Sequence, residues 1–350
     1  MRNWLKPLFL ILLTAAVYRD SFTSRFFQDD KILLGIARSG SPFAVIPNFP
    51  FRPISQELFY LIGDKLFDLH PLGYHLIIFA FFAGTVVLIY KLADKLLESN
   101  RKAILAAFFY ALNISLFAEF FWIATSYFSI GAFFFFLTLW FYLDKKPFLA
   151  TVAFILALGS NEMALVLPGI FLLVGWYKRF WPKYLWPFLL SLPLLLWLRL
   201  QLGGLPKAAD YRLVFSPRAF ATFRWYLLRA LNLPEGVQRS SFWLYGLFAV
   251  LLVFLATKTV FHWRPRLMVF GLVFFILGAL PFYFLPNHMS SYYLSMALFG
   301  PALIFGEVVS GRKATIILCG VYLLLTILGL NFLSQTHWII LKNTGPIGQF

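Results

Sequence analysis

"LGYHLIIFAFFAGTVVLIY", residues 72–90, runs without a single Asp, Glu, Lys or Arg. As a helix it rises about 28 Å at 1.5 Å per residue, close to the thickness of a bilayer's hydrocarbon core, and an apolar run of about 18 or more residues reads as a membrane span. The whole chain has the same character. Its 350 residues are 61% hydrophobic and 13% charged, against roughly 25% charged in soluble domains, and the mean hydropathy is +0.80. Candidate spans lie near 4–18, 72–90, 103–118, 121–143, 147–159, 163–176, 184–202, 242–260, 267–285, 291–309 and 314–333. The pair at 147–159 and 163–176 falls below the usual ~17-residue minimum and is expected to be tilted or broken at its shared turn.

The expected fold is therefore an all-α integral membrane protein of about 11 transmembrane helices. It forms a single domain over 1–350, with amphipathic interfacial helices in two long external loops. The first span follows Arg2 and Lys6 and reads as an uncleaved anchor rather than a signal peptide, because a loop rich in candidate chemistry comes next. No solenoid repeat and no low-complexity segment interrupts the pattern.

The net charge of +16 does not point to nucleic acid, because the basic residues sit in short punctuating loops rather than on one face. Lys91, Lys95, Arg101 and Lys102; Lys145 and Lys146; Lys178, Arg179 and Lys183; Lys258, Arg264 and Arg266; and Arg312 and Lys313 all fall on one side of the spans. The positive-inside rule assigns that side to the cytoplasm, and the expected location is the plasma (inner) membrane. The opposite, external face receives the long loops 19–71 and 203–241. It also receives ten of the 14 acids: Asp20, Asp29, Asp30, Glu57, Asp64, Asp68, Glu119, Glu162, Asp210 and Glu235. The single cysteine, Cys319, lies in an apolar run, which excludes a disulfide framework or a thiolate metal cluster.

The candidate chemistry is external. "FFQDDKILLG" (26–35) places Asp29 beside Asp30, followed by apolar spacing that suits a short helix on the membrane surface. "RPISQELFYLIGDKLFDL" (52–69) is a second amphipathic stretch. In the other loop, Ser216 is placed to cap a helix with Pro217 at its first position. Phe220, Phe223, Leu227 and Leu231 then form a stripe for the lipid, while Arg218, Thr222 and Arg229 point away. Arginines at headgroup height fork onto phosphate oxygens.

Each candidate also has a plainer reading. Asp29-Asp30 is also what a solvated loop or helix cap looks like. Glu162 in "LGSNEMALVLP" and Glu119 in "NISLFAEFFWIA" sit where helix-end acids sit, although acids near bilayer depth tend to face polar cavities. His75 in "PLGYHL" suits a packed interfacial position. His70, His75 and His288 lack the tight spacing of a dedicated zinc site. The loop arginines equally suit contacts with lipid phosphates.

The order of these elements resembles that of the polyprenyl-phosphate-sugar-dependent glycosyltransferases of the C-type superfamily (GT-C). It is most similar to the dolichyl-phosphate-mannose protein mannosyltransferases and their bacterial relatives, including aminoarabinose transferases that modify lipid A. The likeness covers about the first 170 residues in ordered pieces. It rests on a first span, the acidic pair Asp29-Asp30, the Arg52-Pro53 turn, the entry at Pro71 to His75, and Ser160-Asn161-Glu162, where Asn161 stands in place of a family Lys. The resemblance implies transfer of a sugar from its lipid phosphate, with inversion, to a glycan, lipid or protein acceptor at the external face of the bilayer. Asp29 would be the base and Asp30 its orienting or proton-sharing partner. Arg52 and the loop arginines Arg218 and Arg229 would stabilise the departing phosphate, with His75, Glu119, Glu162 and His288 as further substrate-binding candidates. Some relatives use a divalent cation, but two adjacent acids do not specify one, and no metal site is assigned. A lipid-linked sugar flippase or transporter fits less well, since polar residues gather at one face and the second half does not repeat the first. A non-catalytic accessory subunit is the other alternative.

Overall fold

The computed structural model describes residues 5–39, 51–180, 185, 188–190, 193, 209–237, 241–261, 264–309 and 312–344, and among these every regular element is a helix. The α-helices are α1 (Leu5–Val17), α2 (Asp29–Arg38), α3 (Phe59–Phe67), α4 (Pro71–Leu97), α5 (Asn100–Ala111), α6 (Phe117–Phe121), α7 (Ser126–Leu143), α8 (Pro147–Ser160), α9 (Leu167–Lys178), α10 (Arg218–Ala230), α11 (Phe242–Phe261), α12 (Pro265–Gly278), α13 (Phe299–Val308), α14 (Arg312–Thr336) and α15 (Trp338–Thr344).

The opening stretch lies in α4. Pro71 starts this helix at a position where a missing N–H costs nothing, and Glu98, in the left-handed region at φ 53°, stops it. Tyr74, Ile78, Phe82, Val86, Ile89 and Leu96 bury one face at helical spacing. That face packs against α5 and α7. Bilayer-spanning helices gain little from hydrophobic exclusion and associate through close packing. Gly271 and Gly300 show how: a β-carbon on Gly300 would collide with the Gly271 carbonyl, so α12 and α13 cross backbone to backbone.

Three described helices are long and apolar enough to cross a membrane: Pro71–Leu97, Ile123–Leu143 and Thr315–Thr336. The segments Asn100–Ala111 and Ile114–Phe121 make a fourth if taken as one span bent by 45°. Five shorter apolar helices, α1, α8, α11, α12 and α13, accompany them. This is the pattern of a multi-pass membrane protein, but its pieces are shorter than the sequence spacing implies. The expected span at 291–309 opens with a 3-10 turn, Ser291–Leu294, and its α-helix is only 10 residues long. The span expected at 184–202 lies almost wholly outside the described residues. The break expected between 147–159 and 163–176 is present. Asn161, extended and buried, ends α8 and caps the next turn by accepting from the Met163 N–H at 2.9 Å.

Buried amides explain the bend after α5. Asn113 Nδ2 donates to the Ala230 carbonyl at 2.9 Å and to the Tyr322 hydroxyl at 2.8 Å, and its Oδ1 accepts from the Ser115 N–H. Asn232 Oδ1 accepts from the Ile114 N–H at 2.7 Å while its Nδ2 donates to Thr326. Backbone groups freed by the break therefore find side-chain partners, which is what non-helical backbone at membrane depth requires.

Ion pairs gather several basic connections at one end of the bundle. Lys95 pairs with Asp144, Lys178 with Glu98 at 2.7 Å, and both Lys102 (2.8 Å) and Arg264 (3.2 Å) with Glu307. These contacts tie the basic connections after α4, α7 and α9 and before α12 into one end. The acidic pair and its neighbours lie in the loops at the other.

Candidate active site

The acidic pair opens α2, where negative side chains favour the helix N-terminus. Gln28, just before it, has φ 46° and ψ −114°. That is a strained backbone for a residue with a side chain, and such strain collects at functional turns. The two acids have different environments. Asp30 is fully buried; its Oδ2 accepts from the Phe27 N–H at 2.8 Å and its Oδ1 from the Tyr60 hydroxyl at 2.7 Å. Burial pushes its carboxyl up to about 7, against the hydrogen bonds from Tyr60, Phe27 and Ala124 that favour the charged form. Asp29 is partly exposed, and burial raises its carboxyl above the ordinary range as well. No side-chain partner for Asp29 occurs among the described residues.

Around Arg52 lies a cluster of groups from distant segments. Arg52, nearly buried at 7% exposure, precedes a π-helical turn at Pro53–Leu58, an irregularity common at functional sites. Its guanidinium forks onto Glu162, with Nε to Oε2 at 3.0 Å and Nη2 to Oε1 at 2.9 Å, and lies 3.7 Å over the Tyr127 ring. Both Asp29 and Arg52 act electrostatically on the Tyr211 hydroxyl. The Tyr211 ring sits 4.1 Å from that of His288, and His288 is 5.9 Å from Tyr293, which stacks on Phe282 at 3.7 Å. Burial lowers the His288 imidazole, so a neutral ring is favoured, against the pull of Asp210. Arg52 thus pairs with Glu162, and Tyr211, within electrostatic reach of both Arg52 and Asp29, packs on His288.

The tyrosines that line this cluster, Tyr60, Tyr127, Tyr211 and Tyr293, were not among the candidates read from sequence. An aromatic-rich membrane chain gives them no local mark, although the "SYY" turn at 291–293 opposite two acidic loops was a usable signal.

Other candidates fall elsewhere. His75 is buried at 2%, with Nε2 3.1 Å from the Ser24 carbonyl, so it ties the turn Arg19–Thr23 to α4. Glu119 is buried at 1% and accepts from the Ser129 hydroxyl at 2.6 Å, inside the helix bundle. Arg229 departs from the outward orientation expected of it. It is buried at 8%, its guanidinium lies 4.7 Å over the Trp225 ring, and Glu235 acts on it electrostatically. The buried face of α10 is Thr222, Tyr226, Arg229 and Ala230. Of the expected lipid stripe, Phe220 is 79% exposed while Phe223 packs edge-on against Tyr283 at 5.3 Å. The interior at Tyr226 sets the rotation of the helix, and Arg229, one turn on, follows it inward. Arg218 is exposed, and its N–H is capped by Ser216 Oγ at 3.3 Å.

Among the described residues no three His, Cys, Asp or Glu side chains converge as metal ligands. With both Asp30 oxygens engaged by protein donors, Asp29 alone is a poor donor set for a cation, and no step is derived through one.

Because its folded-state carboxyl lies above the ordinary value, Asp30 contributes most to stability when protonated. That contribution is present below about pH 4 and is lost as pH rises towards about 7. The loss is on the order of a few kcal/mol. Thermal unfolding in detergent is therefore expected to show stability falling from pH 4 to 7. Asp30→Asn should flatten that slope, and an unchanged slope would show that another group sets it.

No established family pattern matches this chain, and no curated protein does. A solved structure does: ArnT from Cupriavidus metallidurans bound to undecaprenyl phosphate, at a TM-score of 0.52 and 12% identity. The match covers 95% of this chain and 63% of that one, so the chain spans under two thirds of its neighbour's length. In three dimensions, then, this chain has an ArnT-like helical fold.

Proposed function

We propose that the protein is an inverting membrane glycosyltransferase that moves a sugar from a polyprenyl-phosphate donor to an acceptor at the external face. The observation that carries this reading is the asymmetry within the acidic pair. Asp30 is fixed by Tyr60 and the Phe27 N–H, while the adjacent Asp29, half-buried, carries no side-chain partner among the described residues. A fixed acid behind a less constrained one suits positioned proton abstraction. The ArnT structure holds undecaprenyl phosphate, which supports a lipid-phosphate donor on a shared fold.

In the proposed step an acceptor hydroxyl or similar nucleophile attacks the anomeric carbon and its proton passes to Asp29. The bond from that carbon to the phosphate oxygen breaks on the opposite side, and the electron pair leaves with the phosphate. Inversion follows from a single displacement. Asp30 is a positioning residue, holding the start of α2. Arg52 braces the cluster through Glu162 and Tyr127, and with exposed Arg218 it offers positive charge to the departing phosphate. His288 and Tyr211 flank the acceptor side. His75, Glu119 and Arg229 support the fold around the site.

The reading is tested by incubating the purified protein in detergent with a synthetic polyprenyl-phosphate sugar and extracts of the envelope of a strain lacking the protein. Sugar should leave the lipid and appear on one acceptor with inverted anomeric configuration. No release of sugar from any such donor would refute it.

Sidedness has its own test. With Cys319 replaced by Ser, single cysteines placed in loops 19–71 and 203–241 are expected to react with an impermeant thiol reagent on intact cells. Reaction only after lysis would reverse the orientation.

A further inference from the structure

At the basic end of the bundle the last residues of α4 and α9 and the first of α12 enclose a cleft of about 530 Å³. Four cations line it, Lys178, Arg179, Arg264 and Arg266, against one lining carboxylate, Glu98. Leu97 and Leu267, both buried, back it from the core.

The local pairing leaves positive charge in excess. Lys178 bonds Glu98 at 2.7 Å, but the Glu98 side chain is 79% exposed, and such surface pairs are weak. Arg264 shares Glu307 with Lys102 and is itself 58% exposed. Arg266 donates to the Trp176 carbonyl and lies 5.1 Å from the Trp176 ring, yet its Nε is buried with no hydrogen-bond partner. Arg179 is exposed with no acidic partner among the described residues. Helix α12 begins at Pro265 in the cleft wall with no side-chain cap, so its positive end adds to the same field. Basic loop residues alone would be explained by solvation at the membrane surface. Their convergence from two segments on one concavity, beside a buried guanidinium N–H that lacks an acceptor, is not.

We propose that this cleft binds the phosphate of an anionic phospholipid headgroup. Basic pockets between membrane helices recognise such headgroups. The inference is independent of the sugar-transfer reading.

The test uses the full chain in detergent. Native mass spectrometry would measure retention of phosphatidylglycerol against phosphatidylcholine, and thermal unfolding would compare inorganic phosphate with chloride at equal ionic strength. Each basic side chain near an anionic headgroup is worth about fivefold in affinity. Arg179→Gln with Arg264→Gln should therefore weaken phosphatidylglycerol binding about 25-fold. Lys145→Gln with Lys146→Gln, an equal charge loss at the same end, should change it by less than about twofold. If the double variant does not fold, Arg179→Gln alone, at an exposed position, should still cost about fivefold. Stabilisation by inorganic phosphate in the wild type but not the variant, without lipid retention, would assign the site to the free ion rather than the headgroup. Equal retention of both lipids with no phosphate effect, or variants indistinguishable from the lysine control, would overturn the proposal.

Discussion

Asp29→Asn is expected to abolish sugar transfer while the protein stays folded and keeps its donor. The amide matches the carboxylate in size, and Asp29 has no side-chain partner among the described residues whose loss would unsettle α2. What it loses is the capacity to take a proton. Removal of a general base costs about a hundredfold to ten-thousandfold in rate. Transfer from a synthetic polyprenyl-phosphate sugar, measured beside donor binding and thermal unfolding, separates the two effects. Turnover close to wild type would make the pair a helix-cap feature and remove the catalytic reading. Asp30→Asn should be less damaging to the rate per folded molecule. Its harm should appear first in stability, because Tyr60 and Phe27 donate to the two carboxyl oxygens, and the amide keeps only one oxygen to accept.

Arg52→Ala is expected to lower stability and donor binding together. The position of Arg52 in an external loop predicts, from sequence alone, that its loss weakens phosphate recognition more than folding. The structure changes that expectation, because the guanidinium is nearly buried, forked onto Glu162 and stacked on Tyr127. Breaking one partner out of a buried pair costs about 3–5 kcal/mol, and the part-exposed Glu162 side chain puts the cost at the lower end, about 3 kcal/mol. Arg52→Lys should recover charge but neither the fork nor the stacked plane, leaving an intermediate melting temperature. A melting temperature for Arg52→Ala equal to wild type would show that the Glu162 pair is energetically neutral and that Arg52 serves the ligand alone.

The sequence by itself determined that the chain is a helical membrane protein, because an uncharged run such as 72–90 has no other stable home and its backbone must bond within a helix. Loop charges fixed which connections share an end, since ions cannot rest in the apolar layer. The Asp29-Asp30 pair was visible because acids are scarce, only 14 in 350 residues, and its place in the motif order carried the family resemblance. Three things were decided only by tertiary structure. One is the division of the pair into a buried, bonded Asp30 and a half-buried Asp29. It depends on Tyr60 arriving from α3, thirty residues on, which no local pattern encodes. Another is the turning of Arg229 inward and the pairing of Arg52 with Glu162. Both are set by packing between segments that are far apart in the chain, 110 residues for the second. The last is the length of the spans. Hydropathy marks apolar residues, but it does not show where Asn113 and Asn232 break the helix by offering the backbone better partners. Composition therefore places the chain in the membrane, and long-range hydrogen bonds and packing build the site at its edge.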